Sequence, residues 1–141
     1  ADVILTTEDE VGPEAETLTT RPLVWIGAPG GQAWKQRPLR IAHEQRCIFR
    51  PGVIRRLDAA GVDWENAVDT QSSRTVEATV SADLAVHTML SGSVPAHLEE
   101  IDHGGTLPDL RSFRINLYAR TTPDNPAVED LAALIRRAYA V

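Results

Sequence analysis

The residues with the most chemistry to offer stand in two short runs, Ser72-Ser73-Arg74 and His43-Glu44-Gln45. The first opens the stretch "SSRTVEATVSADLAVHTML" (72–90), which reads as a capped helix running into a strand. A serine in that place accepts a hydrogen bond from a free backbone N–H of the first turn, typically worth about 1 kcal/mol. Thr75 or Val76 would be the donor, and a reciprocal capping box is unsupported because position 75 is neither Glu nor Gln. The same free N–H groups, at the positive end of the helix dipole, are also a natural place for a carboxylate. On these residues alone a plain cap and an anion site are both open.

The second run follows a strand, at the carboxyl end where α/β folds tend to place ligands. Arg46 could pair with an anion there, whereas Glu44 would repel one unless it accepts a donor from the ligand. Thr6 and Thr7 close the first strand with two hydroxyls that can serve a ligand or the loop backbone equally well. Cys47 has His43 four positions earlier and Arg46 beside it, neighbours that can lower a thiol pKa. A catalytic pair also needs an oxyanion site, which nothing in the pattern supplies, so a buried structural cysteine is the better reading. "HLEEIDHGG" (97–105) gathers His97, Glu99, Glu100, Asp102 and His103, but their spacing fits no metal motif, and a solvated loop is expected. Gly30-Gly31 lacks the phosphate-loop pattern, and Trp25, Trp34 and Trp64 are too scattered for a base-stacking platform. No metal and no cofactor is expected.

These residues must be held by a chain of 141 residues, the length of one ordinary domain. Hydrophobic residues make up 43% and charged residues 24%, a globular balance. A net charge of -6 argues against a nucleic-acid surface on this segment. The single cysteine cannot form an internal disulfide, which fits a reducing compartment. No apolar run approaches the roughly 20 residues of a membrane helix. "ADVILTT" opens directly in an apolar strand, the expectation for a fragment of a longer chain.

The pattern predicts strands over 3–6, 21–29, 37–44, 64–70 and 111–120, with a short one at 98–101 and an acidic loop over 8–16. A helix is expected near 51–60, with Val53, Ile54, Leu57 and Ala60 as its apolar stripe and Gly61 as its stop. Another starts at Asn125-Pro126 and carries Val128, Leu131, Leu134, Ile135 and Ala138 at helical spacing. Helices alternating with strands imply an α/β layer fold with a largely parallel sheet.

In this order the pieces resemble the effector-binding domain of LysR-type transcriptional regulators. "DVILTTE" looks like that family's DLAL-type strand, and "RPLVWIGAP" is similar to its EPLVWVASP-type strand. "PLRIAHEQRCIFR" matches the strand, turn and Cys-x-Phe-Arg element, and the following helix ends in "LDAAG". "SSRTVEATVSADLAVHTML" aligns with the serine-capped helix and "VAAGLGVALLP" strand. "LPDLRSFRINLYA" and "NPAVEDLAALIRRAY" resemble the returning strand and last helix. The wording of "PLVWIGAP" and "CIFR" is nearest to LrhA-like members.

The resemblance implies a periplasmic-binding-protein-like (type 2) α/β fold with one complete lobe and part of another. Residues 21–106 would be lobe II; 1–20 and 107–141 would belong to lobe I. It implies a cytoplasmic, non-enzymatic bacterial sensor with no membrane contact. A small effector, with an anion among the forms open, would sit between the lobes and alter DNA binding by a winged helix-turn-helix domain absent from this chain. The full protein would be a homodimer or homotetramer. Effector contacts carried over from the family are Ser72, Ser73, Arg74, His43, Glu44, Gln45, Thr6 and Thr7. The family's Gly-Leu-Gly turn stands here as Asp83-Leu84-Ala85, a departure that asks Asp83 for a left-handed backbone. A solute-binding protein for transport shares the fold and is the alternative, with a thiol enzyme on Cys47 a distant third.

Overall fold

The computed structural model describes residues 2–8, 12–120 and 124–140. Its elements are β1 (Val3–Glu8), β2 (Glu16–Gly27), a 3-10 turn at Ala33–Lys35, β3 (Leu39–Ile41), α1 (Arg50–Ala59) and β4 (Trp64–Asn66). They continue with α2 (Ser73–Ser81), β5 (His87–Leu90), β6 (Glu99–Glu100), β7 (Ser112–Ala119) and α3 (Pro126–Tyr139). The backbone gathers into two compact units. Unit 1 comprises residues 1–22 and 112–141, and unit 2 comprises residues 23–111.

Unit 1 is built on β7, which pairs antiparallel with β1 on one side and with the first half of β2 on the other. β2 begins at Glu16, five positions before the expected start. Thr17, Thr19 and Thr20 are β-branched and extend the strand back to Glu16, the last residue of the expected acidic loop. Residues 9–11 of that expected loop lie outside the described residues. Pro22 stands where β2 leaves β7, the position in a strand that tolerates a missing N–H.

In α3, Val128 and Ala132 are the buried pair. Leu131 and Leu134, expected in the buried stripe, are instead 47% and 58% exposed. At 100° per residue they stand roughly 60° and 120° round the helix from Val128, outside an i, i+4 line of contact.

In unit 2 the second half of β2 pairs antiparallel with β5 and with β6. β3 pairs parallel with β4, and a parallel bridge joins Ile41 to Val86, just before β5. The expectation of a largely parallel sheet is thus corrected. The helix-strand alternation that calls for parallel pairing holds only between β3 and β5, and every other ladder is antiparallel. β3 and β4 are also shorter than expected, because the residues after each turn aside into the segments described below. Ile26, Ala42, Val76, Val80, Ala85 and Leu98 form one core cluster of this unit. α1 buries Val53 and Leu57, with Ala60 exposed.

Candidate functional site

The carboxyl ends of β3 and β4 converge on the start of α2. Ser72 is the N-cap, in extended backbone, and its Oγ accepts a hydrogen bond from the Thr75 N–H at 3.3 Å. The Ser72 N–H in turn donates to Thr70 Oγ1 at 3.0 Å. Ser73 and Arg74 are the first two helical residues, and all three side chains of the run are exposed. An N-terminus of this kind leaves backbone N–H groups directed outward along the helix axis.

The 43–45 turn is docked beside it. The Gln45 N–H donates to the Thr70 carbonyl at 2.9 Å, and the Gln45 side-chain amide donates to Asp69. The pattern of residues therefore brings together Gln45 and Ser72, two of the expected contacts, through the strip 69–70. Glu44 is half-buried and Gln45 exposed. His43 differs from both, at 4% exposure, with Nε2 hydrogen-bonded to Thr88 Oγ1 at 2.8 Å. Its ring meets that of His87 edge to face, with centroids 4.6 Å apart. Burial, reinforced by His87 and Arg50, pushes the His43 pKa down to about 3, so the ring is neutral. His87 is also pushed down by burial, against the pull of Glu44, the Ala42 backbone and Glu77.

Thr6 and Thr7 belong to unit 1. The Thr6 hydroxyl donates to Glu8 Oε2 at 2.8 Å. The Asn116 amide and the Tyr118 hydroxyl donate to the same oxygen at 2.7 and 2.9 Å. Thr17 completes the set by donating to Asn116 Oδ1 at 2.8 Å. These donors, Asn116 first, hold the Glu8 carboxyl below its ordinary pKa, and the carboxylate keeps the Tyr118 phenol protonated to higher pH. Thr6 is thus engaged with a side chain of its own strand, a partner that is neither the ligand nor the loop backbone expected for it.

Asp83 adopts the left-handed conformation asked of it, with φ 59°. Asp83 and Leu84 donate to the carbonyls of Val80 and Thr79, closing α2 with a Schellman pair of bonds. Its carboxylate accepts from the backbone N–H groups of Gln32 and Ala33 at 2.9–3.1 Å. A side chain at Gly31 would collide with that carboxylate. Asp83 is therefore a structural clamp on the 3-10 turn.

Cys47 has its pKa raised, chiefly by burial, the opposite of an activated nucleophile. Among the described residues no group of three or more His, Cys, Asp or Glu side chains is placed to hold a metal. His103 of the "HLEEIDHGG" segment instead accepts the backbone N–H of Gly105 on Nδ1 at 3.1 Å. No helix among the described residues is long and apolar enough to cross a membrane. His87, Thr88, Asp69 and Thr70 join the site without having been singled out. The adjacent polar residues His87-Thr88, inside the otherwise apolar run "LAVHTML", were the available signal.

No protein-family model matches the chain, and no curated protein matches it in sequence. Solved structures do. The regulatory domain of HypT from Salmonella typhimurium, bromide ion-bound, aligns with a TM-score of 0.74 at 14% identity, over 99% of this chain and 73% of that one. The regulatory domain of CcmR from Synechocystis PCC6803 in complex with 2-PG aligns at 0.68 and 12%, over 99% and 74%. The effector binding domain of QuiR in complex with shikimate aligns at 0.62 and 16%, over 99% and 74%. The chain has the mixed α/β, type 2 periplasmic-binding-protein-like fold of LysR effector-binding domains.

Proposed function

We propose that this chain is the effector-sensing part of a LysR-type transcriptional regulator. The observation that carries the reading is a match along 99% of the chain to regulatory domains of that family, two of them in complex with 2-PG and with shikimate. It works by differential binding, not turnover: an effector favours one arrangement and so shifts the geometry of the assembly. Residues 21–106 act as lobe II, with 1–20 and 107–141 as part of lobe I. In the full protein, a cytoplasmic homodimer or homotetramer, a winged helix-turn-helix domain outside this chain makes the DNA contacts. The wording of "PLVWIGAP" and "CIFR" is similar to that of LrhA-like members and supports that subtype.

The effector is a small anion. Bromide and shikimate, bound in two of the aligned structures, are both negatively charged at neutral pH. In this chain the exposed start of α2 supplies outward N–H groups, the Ser73 hydroxyl and the Arg74 guanidinium. Ser72, Gln45 and Glu44 frame that start, and His43 acts from behind the turn. Calorimetric titration of the chain with halide and with small carboxylates tests this. Binding that is lost in Arg74→Gln and Ser73→Ala, with unchanged melting temperature, is the expected outcome. Binding that ignores both substitutions would overturn the assignment.

A further inference from the structure

His43 and His87 form a buried pair, and the effector reading leaves the contact between their rings without a role. Each ring is 4% exposed, and the Nδ1 atom of each has no hydrogen-bond partner. A single contact, His43 Nε2 to Thr88 Oγ1, satisfies one of the ring nitrogens. His43 stands two residues beyond β3 and opens the turn whose far end, Gln45, is tied to Thr70 and Asp69. His87 is the first residue of β5, in register with Ile26 of β2. The edge-to-face contact of the rings therefore joins the turn to the central strands of unit 2.

Such a contact is favourable only while both rings are neutral. A proton taken by either ring places a cation against its neighbour in a site with little water. The charged groups acting on the pair come from three elements. Arg50, at the start of α1, disfavours charge on His43, whereas Glu44 of the turn and Glu77 of α2 favour it on His87. Burial thus lowers both rings, and the neighbouring carboxylates oppose it only at His87.

We propose that the His43–His87 pair is a proton-operated latch, holding the 43–45 turn onto β5 when neutral and releasing it when protonated. Its consequence for sensing rests on the proposed role of that turn; the latch itself does not. The sign follows from linkage: both rings bind protons less readily folded than unfolded. Their contribution is complete above the ordinary value of 6.5 and declines as pH falls below it. From pH 7 to 5.5 the unfolding or opening equilibrium of unit 2 should rise about eightfold through His43, held at about 3, and further in the same direction through His87.

Two measurements on the intact chain test this. Histidine side-chain NMR titration should show the His43 ring staying neutral in the folded protein down to pH 5.5 and the His87 ring titrating below its ordinary value. Amide hydrogen exchange should show protection at Ala42 and Gln45 falling with pH, while that of Leu117 in unit 1 holds. His43→Gln and His87→Gln should each reduce the pH dependence. His43 and His87 both titrating near 6.5 in the folded protein, or equal loss of protection in both units, would overturn the latch. The titration needs no effector and no variant, so it separates failure of the latch from failure of the effector site.

Discussion

In unit 1 a carboxylate, Glu8, receives three donors from its own and a neighbouring strand, whereas in unit 2 two imidazoles each keep a ring nitrogen without a partner. Both clusters sit among strands, and both involve a side chain almost wholly removed from water, Asn116 in one and the histidine pair in the other. The difference lies in satisfaction. The Glu8 cluster exchanges hydrogen bonds with water for hydrogen bonds between β1, β7 and β2, and in doing so it specifies their register. The histidine pair leaves polar capacity unused and so remains responsive to protons. A satisfied network makes a structure indifferent to mild acid; an unsatisfied one makes it conditional.

The largest effect should come from breaking the satisfied cluster. Asn116 bridges Glu8 and Thr17 across three strands at 0% exposure. Asn116→Ala removes both hydrogen bonds, leaves a cavity and strips a donor from a carboxylate, at a cost of about 2–4 kcal/mol. Urea denaturation at pH 7 measures it, and a loss below ~1 kcal/mol would mean that the register is held by the apolar residues alone. Asn116→Asp sharpens the point by placing a second carboxylate beside Glu8. That variant should recover stability as pH falls through the carboxylate range, the reverse of the wild-type trend.

The next effect is the pH dependence that separates the units. Between pH 7 and 5.5 His43 alone should cost unit 2 about 1.2 kcal/mol of stability, the eightfold change in opening expressed as energy, and His87 adds to it in the same direction. Unit 1 should not follow over that range. The Glu8 pKa is lowered from its ordinary 4.5, so its contribution is fully present above that value and lost only as pH falls through the folded one. Exchange protection at Leu117 that tracked Ala42 from pH 7 to 5.5 would erase the contrast.

Asp83 combines strain with satisfaction. Its left-handed backbone costs roughly 1 kcal/mol relative to glycine, and its carboxylate is bonded to two backbone N–H groups. Asp83→Gly relieves the first and forfeits the second, for a net loss of about 1 kcal/mol. Asp83→Asn, which tolerates the same backbone and keeps an oxygen acceptor, should fall between the two. A Gly variant more stable than wild type in thermal melting would show that the clamp on the 3-10 turn carries no weight.

Much of this arrangement was legible from residue types. The serine cap, the left-handed Asp83 and the helix over 51–60 follow from local rules that act within a few residues. The extra length of β2 was not legible, because acidic residues and a proline are loop signals until β7 arrives from 90 residues away to pair with them. Nor was the outward turn of Leu131 and Leu134, since a periodic stripe says which residues could pack without saying how wide the contact is. Of the site, the proximity of Gln45 to the start of α2 depends on Asp69 and Thr70, residues with no chemistry of their own to draw notice. His43 was singled out for its position in the chain, yet what governs its behaviour is His87, which only the parallel register of Ile41 and Val86 brings alongside.

The smallest effect belongs to the start of α2, which lies between the two clusters in how fully it is used. Ser72 Oγ meets one N–H, at a distance near the upper limit for such a bond, so Ser72→Ala should cost only ~0.5 kcal/mol, the low end for a cap. Ser73 and Arg74 are exposed and should cost less still when replaced. Small costs in stability make this the place where binding can be altered without altering the fold. If Ser72→Ala weakens anion binding tenfold or more while the melting temperature moves by only a degree or two, the serine's oxygen serves a ligand's surroundings as well as the helix. If stability and binding fall together in proportion, the residue is a cap, and the recognition of anions is left to the backbone N–H groups and Arg74.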